Sequence, residues 1–429
     1  MYKLDILNRL SEINNDKDIT SLSHAIFPGT HCPLFGVALT ASYINNLALV
    51  VVGTSECTYY TKNFAYHRQH GRDKVYSLAL DEKDVVFGAQ NKVEKAIKDI
   101  IQIENPEAIM IVTTCVPELI GEDYSSIEFS LQNEIDIPVF VVNTEHFKCN
   151  SHIPGMSRAL KSLSSVMENS KVKDGVNILG HRQKNVENTE LVKILNENNV
   201  KINTVIPSKC SIDDIKSCTK SKLNIVTDMI ALDLAETMKS KFDMDYIYFD
   251  KHMDKSTIKE NYKKLSKILN INIENILEEQ EKEYDILFEE CKNILQGKKI
   301  IYGNTPMMAL ETVDFLNELG LEPVFIQLRE LYDQDNKFRE NLLNKGYNPY
   351  ISRIANIAPL RHLYDTIGAD IYIGHENPIL LKEKGLTQIT FDTHAQKIGY
   401  ELPIAMMKEL KKLFSLEKMS MGGMIYAAM

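Results

Sequence analysis

The sequence has no apolar run long enough to cross a bilayer. Its longest apolar stretch, Leu47–Val52, is far shorter than the roughly 20 residues that a membrane-spanning helix needs. Charge appears within Met1–Asp5, which is too early for a secretory signal peptide. The net charge is −10 and the basic residues form no block, so nothing favours nucleic acid or an anionic membrane as a partner. We therefore predict a cytoplasmic protein that binds neither nucleic acid nor membrane.

Two short motifs are also missing. The sequence contains no Cys-x-x-Cys pair, which excludes a thioredoxin-type redox motif and weakens the case for structural zinc. It contains no Gly-x-x-x-x-Gly-Lys-Ser/Thr word, so it cannot bind a nucleoside triphosphate in a P-loop. Seven cysteines are nevertheless present. In a large cytosolic chain they argue against a disulfide framework and leave metal binding or catalysis as the better interpretations.

Short apolar segments alternate with amphipathic helical stretches along the whole chain, a pattern typical of βαβ units and parallel sheets. The predicted strands include Leu47–Val52, Ala108–Val112, Val139–Asn143, Val176–Leu179, Lys299–Tyr302, Pro323–Ile326 and Ile371–Ile373. The fold class predicted is α/β, with three Rossmann-like domains whose parallel sheets are flanked by helices. New first strands follow a polar linker near 172 and a long charged helix at about 255–296, so we place the domains at 1–171, 172–296 and 297–429.

Three cysteines occupy similar places in the first predicted domain. Cys57 and Cys115 each follow a predicted strand, and Cys32 precedes a helical stretch. Open α/β sheets bind ligands at the carboxyl ends of their strands, and a helix N-terminus there lowers a thiol pKa. We therefore expect thiolates that bind iron. Three thiolates without a fourth suit a cluster that is completed by another group, such as a partner subunit.

Plainer interpretations of these cysteines remain open. Any one of them alone is most simply a small buried hydrophobic residue, and we expect ordinary roles for Cys210 and Cys218. A solute-binding protein of similar three-layer shape, with no cluster, is a weaker alternative for the whole chain.

The segments around the three cysteines resemble those of a known family. Cys32 and Cys57 are 25 positions apart, and Cys57 and Cys115 are 58 apart. The matching words are Cys-Pro-Leu-Phe-Gly, Gly-Thr-Ser-Glu-Cys-Thr-Tyr-Tyr, Tyr-His-Arg at 66–68, Asp-Val-Val-Phe-Gly at 84–88 and Thr-Thr-Cys-Val-Pro-Glu-Leu-Ile-Gly-Glu-Asp. With this spacing and these words, the chain resembles the catalytic-component subunits of nitrogenase and nitrogenase-like oxidoreductases, most closely the β-type subunit.

The resemblance implies an iron–sulfur cluster, [4Fe–4S] or larger, bound by Cys32, Cys57 and Cys115 at an interface with a homologous subunit. It also implies a separate ATP-hydrolysing iron–sulfur reductase that docks and delivers electrons, so the chain would be an oxidoreductase subunit within an oligomer. The family's serine ligand matches Ser151 in this sequence. Cys149 is an alternative ligand, and the plainer interpretation is that this segment is an ordinary loop without a ligand. A second hypothesis is a non-catalytic scaffold on which a complex metal cofactor is assembled.

The sequence departs from the family pattern at the heterometal cofactor. The positions where the resemblance would put a cysteine and a histidine ligand carry Asp228 and Ile398. We therefore expect no molybdenum, vanadium or iron-only nitrogenase cofactor to be bound by these side chains. His375 and Glu376 follow a predicted strand, and we suggest them as a proton-shuttling catalytic pair. His181 and Arg182 follow another strand, and a solvated loop is the alternative for all four.

Overall fold

The structure is a computed structural model. It describes residues 4–23, 32–68, 74–131, 134–183, 185–208, 210–303, 308–354 and 358–426, without the side chains of 64–68, 129, 358 and 416–426. The side chains of the Tyr-His-Arg word at 66–68 therefore lie outside the described residues.

Thirteen strands and seventeen α-helices are present in the described part of the chain. The strands are β1 (Leu47–Gly53), β2 (Val75–Ala79), β3 (Ala108–Thr113), β4 (Val139–Val142), β5 (Val176–Leu179), β6 (Ile202–Ile206), β7 (Leu223–Val226), β8 (Tyr246–Tyr248), β9 (Lys299–Tyr302), β10 (Glu322–Leu328), β11 (Tyr350–Arg353), β12 (Ile371–Ile373) and β13 (Thr387–Ile389). The helices are α1 (Pro33–Ala41), α2 (Ser55–Arg68), α3 (Glu82–Phe87), α4 (Gln90–Glu104), α5 (Cys115–Ile120), α6 (Ser125–Leu131), α7 (Ile153–Ser162), α8 (Glu190–Glu197), α9 (Ile212–Ser217), α10 (Leu232–Phe242), α11 (Lys255–Leu269), α12 (Glu274–Leu295), α13 (Ala309–Glu318), α14 (Asp335–Asn344), α15 (Tyr364–Ile367), α16 (Pro378–Glu383) and α17 (Glu401–Tyr426).

The strands form three parallel sheets, in the orders β2-β1-β3-β4, β6-β5-β7-β8 and β11-β10-β9-β12-β13. Central strands such as β1 and β3 are buried along their whole length, as expected for parallel sheets that are covered by helices on both faces. The predicted α/β class with three parallel sheets flanked by helices is confirmed. No helix in the described part of the chain is long and apolar enough to cross a membrane.

The chain divides into two compact units. One contains 28–187 and 195–250, with the first two sheets, and the other contains 1–27, 188–194 and 251–429, with the third. In the first of these units, one apolar core joins β1, β3 and β4 to β5, β6 and β7 through side chains such as Val51, Val112 and Val226. The three-domain division at 172 and 297 stays a prediction.

The first residues of the chain pack on the third sheet. The N–H of Ile351 in β11 donates to the carbonyl of Asn8, and Arg353 forms an ion pair with Asp16 at 3.0 Å. The guanidinium of Arg9 lies 3.4 Å from the ring centre of Tyr350. The predicted domain 1–171 groups these residues with the first sheet, whereas in the structure they contact the third.

The long charged helix predicted at 255–296 is two helices, α11 and α12. They are separated at Asn270, whose φ of 54° is in the left-handed region. Asparagine adopts this conformation more readily than most residues and commonly ends a helix there.

Candidate metal centre

The three predicted cluster cysteines lie at helix starts in the same compact unit. Cys32 is the N-cap of α1, Cys57 is in the first turn of α2, and Cys115 is the first residue of α5. The strands that precede Cys57 and Cys115 are neighbours, with Val52 of β1 paired to Thr113 of β3. The three thiols are close enough that Cys57 and Cys115 both act electrostatically on Cys32. The structure therefore brings the three cysteines together.

Glycines allow the cysteine-bearing segments to approach one another. A Cβ added to Gly53, at the end of β1, would lie 1.8 Å from Oγ1 of Thr114, the residue before Cys115. Within helix α1, a Cβ on Gly36 would lie 1.9 Å from the carbonyl oxygen of His152, the N-cap of α7. These close approaches leave no room for a side chain at either glycine.

Burial opposes ionisation of two of these thiols. Removal from water raises the pKa of Cys32 to about 11, although the N–H groups of Leu34 and Phe35 donate to its sulfur and act in the opposite direction. Burial also raises the pKa of Cys115, and the nearby Cys57 adds to the effect. The expectation that helix N-termini make Cys32 and Cys115 thiolates is wrong for the metal-free protein, because desolvation outweighs the hydrogen bonds from the N–H groups. Without metal both are neutral thiols at pH 7, and iron binding would release their protons.

The candidate ligands of the site are three thiols from separate segments of the chain. Among the described residues, no group of three or more His, Cys, Asp or Glu side chains lies close enough to hold one metal ion. Three thiols from separate segments, with backbone N–H groups donating to one sulfur, match the donor chemistry of an iron–sulfur cluster.

The segment proposed to supply a further ligand packs beside α1. Ser151 is fully buried, and its Oγ accepts a hydrogen bond from the N–H of Ile153 at 3.3 Å. The thiol of Cys149 donates to the carbonyl of Glu145 at 3.5 Å. Helix α7, which follows Ser151, lies close to α1, because a Cβ added to Gly155 of α7 would lie 1.9 Å from the carbonyl oxygen of Pro33 in α1. Ser151 therefore lies in a segment that is packed against the helix that Cys32 caps, and its role as a ligand stays a prediction.

Two residues near the cysteines, His146 and Glu118, were not predicted from the sequence as part of the site. Nδ1 of His146 lies 3.9 Å from the sulfur of Cys32. Glu118, three residues after Cys115, accepts hydrogen bonds from the N–H groups of Glu145 at 3.0 Å and His146 at 3.2 Å. The position of Glu118 in the first turn after a candidate ligand was the one available signal, whereas the contact with His146 depends on tertiary structure.

The remaining cysteines have ordinary environments. The thiol of Cys210 donates to the carbonyl of Pro207 at 3.1 Å, and that of Cys291 donates to the carbonyl of Met407 at 3.3 Å. Cys218 is buried in the apolar core, and burial raises the pKa of all three.

The ion pairs and hydrogen bonds described for His375 and Glu376 involve different partner residues. His375 forms an ion pair with Asp392 and its side chain is 57% exposed. Glu376, whose side chain is 0% exposed, accepts from Arg361 at 2.6 Å and from the hydroxyl of Tyr364 at 2.9 Å. Burial alone would raise the pKa of Glu376, but the hydrogen bonds from Arg361, Asn377 and Tyr364 outweigh it and hold the pKa below its usual value. A proton shuttle by this pair stays a prediction.

Asp228 and Ile398, the two positions that depart from the family pattern, make contacts that stabilise the fold. Asp228 caps the N–H of Ile230 at 3.3 Å and forms an ion pair with Arg182 at 3.3 Å. Ile398 is buried, and its N–H donates to Glu401 at 2.9 Å. His181, after β5, is also buried.

The sequence matches the family model of nitrogenase component 1 type oxidoreductases over residues 32–413. The chain belongs to this family. It is 26% identical to the nitrogenase iron-molybdenum cofactor biosynthesis protein NifE of Clostridium pasteurianum, over 82% of this chain and 79% of that protein. It is 24% identical to a subunit of the light-independent protochlorophyllide reductase of Porphyra purpurea, over 64% of this chain and 58% of that one.

A solved structure has the same fold. The structure described as nitrogenase Cp1 at pH 6.5 superposes with a TM-score of 0.78, at 19% sequence identity, and covers 92% of this chain and 94% of its own. The match to the family model confirms the family predicted from the cysteine-bearing segments.

Proposed function

We propose that the chain is the cluster-binding subunit of a nitrogenase-like reductase. The observation that supports this most directly is the convergence of Cys32, Cys57 and Cys115 from three segments of one compact unit. Membership of a family of component 1 type oxidoreductases agrees with it. An iron–sulfur cluster held there, [4Fe–4S] or larger, would supply one-electron transfer at low potential.

The chain's own residues would hold this cluster and shield it. Cys32, Cys57 and Cys115 would hold the cluster as thiolates, and the N–H groups of Leu34 and Phe35, which donate to the Cys32 sulfur, would stabilise its negative charge. Ser151, or a residue of a homologous partner subunit, supplies the fourth ligand. Electrons would come from the separate ATP-hydrolysing iron–sulfur reductase that the family resemblance implies, since this sequence contains no P-loop of its own. With a homologous partner subunit the assembly would be an oligomer, and we place it in the cytoplasm.

The test is the iron and acid-labile sulfide content of anaerobically purified protein. Cys32→Ala, Cys57→Ala and Cys115→Ala should each lose or convert the paramagnetic signal of the cluster. Cys291→Ser is the matched control, because Cys291 is buried elsewhere and donates to a backbone carbonyl. If all three alanine variants keep the iron and signal of the unchanged protein, the proposal is wrong.

A second candidate is a scaffold for cofactor assembly, and the similarity to NifE, a cofactor biosynthesis protein, favours it. Both functions require the three cysteines. A scaffold would release its bound cluster to an acceptor protein, whereas a reductase would retain it and turn over when given ATP and an electron-donating partner. Incubation of iron-labelled protein with each kind of partner distinguishes the two by where the label is found.

A further inference from the structure

We propose that His146 is a positioning residue of the cluster site and donates a hydrogen bond from Nδ1 to the sulfur of Cys32. This inference rests on the proposed function, because it requires Cys32 to be a cluster ligand. The two atoms are 3.9 Å apart, within the range for hydrogen bonds to sulfur. With its hydrogen on Nδ1, a neutral imidazole donates to a thiolate.

Glu118 fixes the backbone that presents His146. Its carboxylate accepts from the N–H groups of Thr144 at 2.5 Å, Glu145 at 3.0 Å and His146 at 3.2 Å. It also accepts from the hydroxyls of Thr113 at 2.6 Å and Thr144 at 2.9 Å. Since Glu118 belongs to α5, which begins at Cys115, one carboxylate joins the helix of one candidate ligand to the residue that contacts another.

The same segment is held from a second side. Arg158 of α7 forms an ion pair with Glu145 at 2.6 Å and also donates to the carbonyl of Thr144. His146 therefore follows two residues that are fixed from both α5 and α7. A side chain placed in this way meets the sulfur of Cys32 without much loss of conformational freedom.

A hydrogen bond to a cluster sulfur changes the redox potential. It stabilises the more negative, reduced state and so raises the potential of the bound cluster. Removing the donor should lower the potential. We expect a change on the order of tenfold in the equilibrium constant for reduction, which is about 59 mV for a one-electron couple.

The experiment compares the potentials of anaerobically purified variants by a redox titration that is followed by electron paramagnetic resonance. His146→Leu removes the donor and should lower the potential. His146→Asn places an amide N–H near the position of Nδ1 and should restore most of it. Ile103→Ala is the control, because that side chain lies on α4, is 77% exposed and should leave the potential unchanged.

Iron analysis distinguishes failure of the proposed function from failure of the hydrogen bond between His146 and Cys32. If the unchanged protein holds no iron or sulfide, the proposed function fails and this inference fails with it. If the unchanged protein and His146→Leu both contain the cluster and their redox potentials are equal, only this inference fails.

A measurement on the unchanged sequence covers the case in which His146→Leu does not fold. Protein labelled with ¹⁵N-histidine should show a weak nuclear coupling to the cluster by electron–nuclear double resonance. No coupling, or the strong coupling of a nitrogen bound to iron, would overturn the hydrogen bond.

Discussion

The carbonyl oxygen of His152 occupies the space where a side chain on Gly36 would begin, 1.9 Å from the position of an added Cβ. The reverse contact is equally close, because a Cβ on Gly155 would lie 1.9 Å from the carbonyl oxygen of Pro33. Two glycines thus bring the start of α1, capped by Cys32, against the start of α7. Close backbone contact, together with the edge-on packing of the Phe35 and His152 rings, thus fixes the segment that contains Ser151 beside a candidate cluster ligand.

Replacing Gly36 by alanine should separate these two helices. We expect the free energy of unfolding to fall by about 1–3 kcal/mol, the usual cost of forcing extra volume into a packed core. The iron content should fall as well, because α1 positions Cys32. Chemical denaturation and iron analysis measure the two effects. Gly385→Ala is the control, since nothing lies within 4 Å of its added Cβ and only the strain of its φ of +70° remains. Equal iron content in both variants would contradict the argument.

The thiols of the metal-free protein should react slowly with an alkylating agent at pH 7. The reactive species is the thiolate, and burial raises the pKa of Cys32 to about 11, so little thiolate is present. Labelling with iodoacetamide followed by peptide mass spectrometry should show Cys32 reacting far more slowly in the folded protein than in urea. The rate should rise as the pH is raised from 7 toward 9. Equal rates in the folded and unfolded protein would count against a buried, neutral thiol.

The ion pair between Arg361 and Glu376 should matter for stability. Arg361→Met leaves a carboxylate with 0% exposure without its charged partner, and we expect a loss of about 1–3 kcal/mol. The guanidinium is 39% exposed, so water moderates the cost. Lys384→Met, which removes a pair with the 69% exposed Asp365, is the control and should cost less than about 1 kcal/mol.

A double variant tests the reason for this loss. Arg361→Met combined with Glu376→Gln removes the unpaired charge and should recover part of the stability. Urea unfolding of the four proteins measures the effect. If the double variant is no more stable than Arg361→Met alone, the buried charge is not the cause.

Much of the fold follows from local sequence signals. The segments at 176–179, 299–302 and 371–373, in which apolar residues predominate, were predicted as strands with the bounds that β5, β9 and β12 have. A short, mainly apolar segment is typical of a strand that is buried on both faces, whatever its partners are. The break at Asn270 was missed because polar helical periodicity continues on both sides of it.

The candidate site was predictable in part for the same reason. Cys57 and Cys115 follow strands, and neighbouring parallel strands end at one edge, so their proximity follows from the topology. The thiol pKa values, the contact of His146 with Cys32 and the pairing of Glu376 with Arg361 depend on burial and on tertiary contacts that no local pattern contains. These were the features that sequence reasoning missed or assigned incompletely.

The buried carboxyl of Glu190 should make stability depend on pH. Burial raises the pKa of Glu190 to about 7 in the folded protein, although it accepts hydrogen bonds from the hydroxyl of Tyr262 and the N–H groups of Tyr400 and Glu401. Its ordinary value is 4.5. Between these values the folded state binds a proton that the unfolded state does not, so this contribution is fully present below about pH 4.5 and is lost as the pH rises to about 7. The loss is at most about 3 kcal/mol.

Glu190→Gln should remove this part of the pH dependence, because glutamine does not titrate in this range. The free energy of unfolding of the unchanged protein, measured in urea, should fall more between pH 5 and pH 8 than that of the variant. Other groups that titrate in the same range, such as Asp335 with its pKa raised to about 6 by burial, are present in both proteins and cancel in the comparison. The variant should therefore gain stability relative to the unchanged protein as the pH rises. Parallel pH profiles for the two proteins would show that Glu190 is already ionised in the fold, with its three hydrogen-bond donors outweighing burial.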